Sequence, residues 1–211
     1  MKIVDSRDEQ DVLERLLDDS KPALPGAAGR LDYLLAAPFR YPTRRGGSRF
    51  RAATDPGVFY GAGTVRTACA ELGYWRWRFL MDAVDLERME PVAHTAFRAA
   101  IATSAVDLRA APFSRDAALW QHPTDYAATQ ALSRHVRDAG VGAILYKSVR
   151  DPRPSWCVAL LEPEGFARAA PYPGTQTWWL MVYPDAVVWR RDRESFTFSS
   201  ASWLQMQGNG A

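Results

Sequence analysis

In the segment opening the chain, Val12, Leu13, Leu16 and Leu17 recur at helical spacing among charged residues. This predicts an amphipathic helix over residues 7–19. Proline and glycine between Ser20 and Gly29 end it, and a short helical turn over Leu31–Ala36 is expected to stop before Pro38. Val58-Phe59-Tyr60 reads as a short strand that starts after the turn signal Asp55-Pro56-Gly57 and ends at Gly61-Ala62-Gly63. Thr64 is a good N-cap for a helix over residues 65–82, whose expected buried stripe is Val65, Ala68, Cys69, Leu72, Trp75 and Phe79. A β-compatible stretch covers Val92–Leu108. A helix follows over Tyr126–Asp138, with Gly140 at C′. Strands are expected at Ala143–Tyr146, Trp156–Leu161, Thr177–Tyr183 and Ala186–Trp189. Helices and strands thus share one mixed domain with no internal repeat.

Composition narrows the function classes. The chain has 211 residues, 47% of them hydrophobic, which is ample material for one large core. Its 26 basic residues nearly balance 24 acidic ones, so a general nucleic-acid or membrane-surface binder is not expected. The acidic N-terminus lacks the apolar core of a secretory signal, and no run is long enough to span a membrane. The two cysteines, Cys69 and Cys157, form no CxxC pair and no disulfide framework. A cytoplasmic location is the expectation.

Against this balanced background the stretch from Phe39 to Arg51 stands out, with arginines at 40, 44, 45, 49 and 51 around Gly46-Gly47. Guanidinium groups match phosphate oxygens in pairs, so Arg40 and Arg49 are natural anion binders. Glu71 falls at the edge of the apolar stripe, less than two turns into its helix. A partly desolvated carboxylate there needs a partner: either a structural ion pair with an arginine, or a place in a cleft. Tyr60 reads as a packing residue or as part of the same cleft, and Ser148 as a strand-end hydroxyl. His94, His122 and His135 have no metal-ligand spacing, and no metal site is expected. The nucleophile elbow, the P-loop and the dinucleotide glycine fingerprint are all missing, which counts against those enzyme classes.

Ser48-Arg49-Phe50, Gly57-Val-Phe-Tyr60 and Thr67-Ala-Cys-Ala-Glu71 together resemble the core motif of RES-domain proteins. Arg49, Tyr60 and Glu71 fall at two successive eleven-residue intervals. Phe39-Arg40-Tyr41 is similar to the family's first arginine segment, Thr129-Gln130 to a later helix, and Gly142–Ser148 to its glycine-to-serine strand. Phe50 stands where tryptophan is common, and Ser155-Trp156 replaces a frequent asparagine. The similarity covers about residues 38–165 and implies an N-terminal helical extension over 1–37 before a catalytic domain over 38–206. The implied fold is α+β, an ADP-ribosyltransferase-like core of twisted, mostly antiparallel sheets flanked by helices.

The resemblance also implies a toxin of a toxin–antitoxin pair, held inactive by an Xre-like antitoxin, that cleaves NAD between nicotinamide and ribose. NAD would be a substrate rather than a resident cofactor. The implied catalytic residues are Glu71, Arg49 and Tyr60, and NAD would be bound by Arg40, Tyr41, Arg49, Tyr60 and Ser148. Phosphate, water or a protein side chain could accept the ADP-ribosyl group. The arginine excess leans toward phosphate, which would make the protein an NAD phosphorylase. The competing class is a non-enzymatic binding module that uses the basic cluster, with Glu71 as a counter-ion.

Overall fold

The computed structural model describes residue 12 and residues 22–41, 47–153 and 155–208. The helix expected over 7–19 therefore lies outside the described residues save Val12, as do Arg44, Arg45 and Gly46. Over the described residues the chain is α+β, with two four-stranded sheets.

The first sheet has the order β1-β5-β4-β3, formed by β1 (Phe59–Ala62), β3 (Ala105–Asp107), β4 (Ala143–Lys147) and β5 (Trp156–Leu160). All pairings are antiparallel except β3 with β4. Its central strands read as almost continuous apolar runs because both faces are covered. Ile144, Tyr146, Cys157 and Ala159 point into a cluster with Phe50, Leu108 and Val136. Their alternates Ala143, Val158 and Leu160 pack with Leu35, Phe39 and Phe166 on the other side. One covering helix is α1 (Tyr33–Arg40), capped by the Asp32 carboxylate, which accepts from the Leu34 amide at 2.9 Å. Contrary to expectation α1 continues through Pro38, and burial of Leu35 and Phe39 one turn apart holds its last turn. The 37/38 boundary expected from the sequence falls inside this helix.

The second sheet, β2-β6-β7-β8, is wholly antiparallel, with β2 (Met89–Ala96), β6 (Gln176–Val182), β7 (Ala186–Arg191) and β8 (Glu194–Ser199). The stretch expected to be β-compatible over 92–108 thus divides into β2 and β3, which join different sheets. Against the second sheet lies α2 (Val65–Asp82), and α5 (Ser200–Gly208) closes the core by burying Trp203 completely. The buried face of α2 is Thr67, Cys69, Ala70, Gly73, Tyr74, Trp77 and Leu80, which shares only Cys69 with the stripe expected from the sequence. Leu72, Trp75 and Phe79 are exposed instead. Both faces of α2 carry apolar residues, so periodicity alone could not say which one meets the sheet. The short α3 (Ala117–Trp120) leads toward α4 (Ala127–Asp138). At the end of α4 Gly140 adopts φ +67°, with its own amide and that of Val141 closing back on Arg137 and Val136.

Candidate active site

Strand β1 does not end at Gly61. It runs on through Ala62, pairing Gly61 with Val158 and Ala62 with Cys157, and so brings the start of α2 beside β5. The Thr64 hydroxyl caps α2 by accepting from the Thr67 amide at 3.1 Å. Thr67 in turn donates from its hydroxyl to the buried Asp151 carboxylate at 3.0 Å. Thr67 lies one turn before Glu71, and Asp151 three residues after Ser148. That bond therefore sets the helix against the loop leaving β4.

The result is a direct contact: the Ser148 hydroxyl donates to Glu71 Oε1 at 2.7 Å. Ser148 is buried, and its oxygen also accepts from the Arg150 and Asp151 amides at 3.3 and 3.1 Å. Two amides fix the oxygen, so its proton has one direction left, toward the carboxylate. The Cys157 thiol lies 3.9 Å from the same Oε1. Burial and the nearby Glu71 push that thiol up to about 12, so it stays neutral at physiological pH. Glu71 makes no ion pair with an arginine among the described residues, and its Oε2 has no partner there.

A second construction positions Arg49. Residues 48–51 form a tight turn in which the Ser48 amide donates to the Arg51 carbonyl at 2.6 Å. Gly47 enters it at φ +88°, where a Cβ would lie 2.1 Å from the Arg51 carbonyl oxygen. Tyr60 fastens this turn to β1: its hydroxyl accepts from the Phe50 amide at 3.0 Å and shares a 2.8 Å hydrogen bond with Ser48. Shelter from water raises the Tyr60 hydroxyl above its ordinary titration range. From α4, Thr129 donates to the Arg49 carbonyl and Gln130 to the Ser48 carbonyl at 3.0 Å. Phe50 is fully buried edge-on against Tyr146. The Arg49 guanidinium then donates to the carbonyls of Trp120 and His122 at 2.8 and 3.0 Å and lies 4.7 Å over the Tyr126 ring.

These parts enclose a cavity of about 390 Å³ whose wall includes Arg49, Tyr60, Glu71, Tyr126, Arg150 and Cys157. Three of the residues singled out in the sequence, Arg49, Tyr60 and Glu71, thus meet on one cavity. Ser148 stands behind Glu71 rather than on the wall. Arg40 and Tyr41 do not line the cavity: the Arg40 guanidinium donates to the Pro22 carbonyl at 2.6 Å. Arg51 likewise donates to the Asp55 and Tyr41 carbonyls. The three described arginines of this stretch, Arg40, Arg49 and Arg51, therefore form no single anion-binding face, since each serves a different local structure. Sequence reasoning missed Tyr126, Arg150 and the Thr67–Asp151 brace. Arg150, two residues beyond Ser148, was within reach of inspection, but the brace joins residues too distant in sequence to be paired by pattern.

A second cavity, of about 760 Å³, shares Tyr60, Gly61, Ala62 and Ala68 with the first and extends between the sheets past Phe97, Arg98 and Tyr172. Among the described residues no group of three or more histidine, cysteine or acidic side chains is placed to hold a metal ion.

The profile of the RES domain family matches residues 24–182. The chain belongs to the RES-domain family. Members of this family are known from toxin–antitoxin systems, where they have antitoxin partners, and are linked to NAD-utilising activity. Among curated proteins no match to the chain was found. Within this RES domain, the matched span holds both the Arg49 turn and the Glu71–Ser148 pair. It ends before β7, β8 and α5, which complete the core against α2. Among the described residues no helix is long and apolar enough to cross a membrane.

Proposed function

We propose that this RES domain is an NAD-cleaving enzyme, the toxin of a toxin–antitoxin pair, that breaks the nicotinamide–ribose bond and passes the ADP-ribosyl group to inorganic phosphate. The observation that carries this reading is the Glu71 carboxylate on the cavity wall, held by Ser148 through Oε1 and leaving Oε2 for a ligand.

Breaking that bond leaves positive charge on the ribose ring, as in glycoside cleavage. Nicotinamide departs as a neutral molecule, so no proton need be given to it. The group required is a fixed negative charge beside the ribose, and Glu71 has that form. Carboxylates positioned in advance of charge development commonly contribute several kcal/mol to a transition state, on the order of 3 kcal/mol for one lost contact. Arg49 would hold phosphate oxygens, and the half-exposed ring of Tyr60 would offer an aromatic face to nicotinamide. Ser148 aims the carboxylate instead of touching the substrate. A cavity of about 390 Å³ suits the nicotinamide and ribose end, and the larger neighbour that shares its wall gives the rest of a dinucleotide room to extend.

Phosphate is favoured as acceptor by two buried guanidiniums, Arg49 and Arg150, on the same wall, neither ion-paired to a carboxylate among the described residues. An Xre-like antitoxin would cover this opening, where the exposed Leu72, Trp75 and Phe79 on α2 present an apolar ridge. Against the binding-module alternative stand the described arginines: Arg40 and Arg51 are bonded to backbone carbonyls, and Arg49 is buried.

The test is incubation of the purified protein with NAD, with and without phosphate, and chromatography of the products. Nicotinamide with ADP-ribose-1″-phosphate is expected. Free ADP-ribose in the presence of phosphate would make water the acceptor, and no nicotinamide at all would overturn the reading.

A further inference from the structure

Arg150 is a buried cation held on nearly every side. It is 1% exposed, yet forms part of the wall of the smaller cavity beside Arg49 and Tyr126. Its guanidinium stacks 3.4 Å from the centre of the Tyr74 ring. Nη2 donates to the Pro123 carbonyl and to the Tyr126 hydroxyl, the latter at 3.4 Å. The main chain is fixed as well: its amide donates to Ser148 Oγ, and its carbonyl accepts from the buried Trp203 indole at 2.9 Å. One group is left over. Nη1 is buried and has no hydrogen-bond partner among the described residues, and no carboxylate pairs with the guanidinium there.

A guanidinium removed from water without a counter-charge is unfavourable, and an aromatic face offsets only part of that cost. Arg49 is buried in the same wall under the same condition, with backbone carbonyls and the Tyr126 ring as its partners. The one carboxylate of this wall, Glu71, is engaged by Ser148. Cys157 stays neutral because its thiol is pushed up to about 12. Two cations against one anion give this wall a net positive charge. Planar guanidiniums that keep a free N–H in such a place match phosphate oxygens.

We propose that Arg150 is a phosphate-binding residue of this cavity, acting with Arg49 and filling the place that the sequence assigned to Arg40. The phosphate has two possible sources: the diphosphate of the dinucleotide, or the inorganic phosphate that accepts the ADP-ribosyl group. The inference rests on the reading of the cavity given above, and the experiment separates the two.

Arg150→Lys and Arg150→Met would be made in the full chain and checked for native melting. Calorimetry with inorganic pyrophosphate and with inorganic phosphate reads the site without turnover, and steady-state kinetics follow. At least a tenfold loss of pyrophosphate or phosphate affinity is expected in Arg150→Met, with a smaller loss in Arg150→Lys. A rise in KM for NAD alone assigns Arg150 to the diphosphate. A rise in KM for phosphate, with NAD binding unchanged, assigns it to the acceptor. Unchanged affinities and KM values in folded variants overturn the proposal, as does a wild-type protein that binds neither anion. If neither variant folds, a crystal structure of the wild type with pyrophosphate decides: an oxygen within hydrogen-bond distance of Nη1 supports the proposal, and an anion bound elsewhere overturns it. Arg150-dependent anion binding without any nicotinamide release would leave this inference standing and remove the NAD-cleavage reading instead.

Discussion

Ser148 shows what one residue contributes here. Its oxygen accepts two buried amides and its proton goes to Glu71, so Ser148→Ala strips both amides of their acceptor and leaves the carboxylate unaimed. The expected cost in stability is about 1–3 kcal/mol, because buried donors are left without partners. In the proposed reaction kcat should fall roughly tenfold to a hundredfold while KM for NAD stays near its wild-type value, since the loss is felt where charge develops. Denaturant titration and steady-state kinetics check the two parts. Glu71 and Ser148 were both legible as residues in the sequence. Their direct contact was not, because it depends on the Thr67–Asp151 brace between segments more than eighty residues apart.

Elements were legible where one pattern has one solution. The α4 helix and its glycine cap, and the apolar runs of β4 and β5, appear close to where the spacing places them. The face of α2 was not legible, because the sheet takes one apolar side and the cavity rim takes the other. Strand β8 and helix α5 are not among the elements expected from the sequence, although Phe196 and Phe198 alternate with polar residues. The turn over 48–51 depends on Gly47, whose φ of +88° and close approach to the Arg51 carbonyl oxygen leave no room for a methyl group. Gly47→Ala should therefore cost about 1–3 kcal/mol in stability and loosen Arg49, raising KM for NAD more than it lowers kcat. A denaturation midpoint, together with a KM measured well below it, checks this.

At the scale of the whole molecule two buried thiols set an alkaline limit. Cys69 and Cys157 are each pushed by burial from the ordinary thiol value of 9.0 up to about 12, and the Tyr60 and Tyr146 hydroxyls are raised as well. The folded state favours the neutral forms, whereas the unfolded thiols ionise from 9.0. Their contribution is fully present below that value and is lost as pH rises toward about 12. Denaturation midpoints should fall as pH rises from 9.0 toward about 12, and Cys69→Ala with Cys157→Ala should flatten the fall. A midpoint independent of pH over that range would contradict the burial argument. Family membership was visible in the double eleven-residue spacing, but the proposed chemistry rests on how the two sheets and α2 bring Arg49, Tyr60 and Glu71 to one cavity. The most direct measurement is nicotinamide release from NAD by the wild type and by Glu71→Gln, both shown to be folded by their melting curves. The account predicts release by the wild type and loss of it, by a hundredfold or more on the order expected for a removed transition-state charge, in the variant. A folded Glu71→Gln protein that releases nicotinamide at the wild-type rate would contradict it.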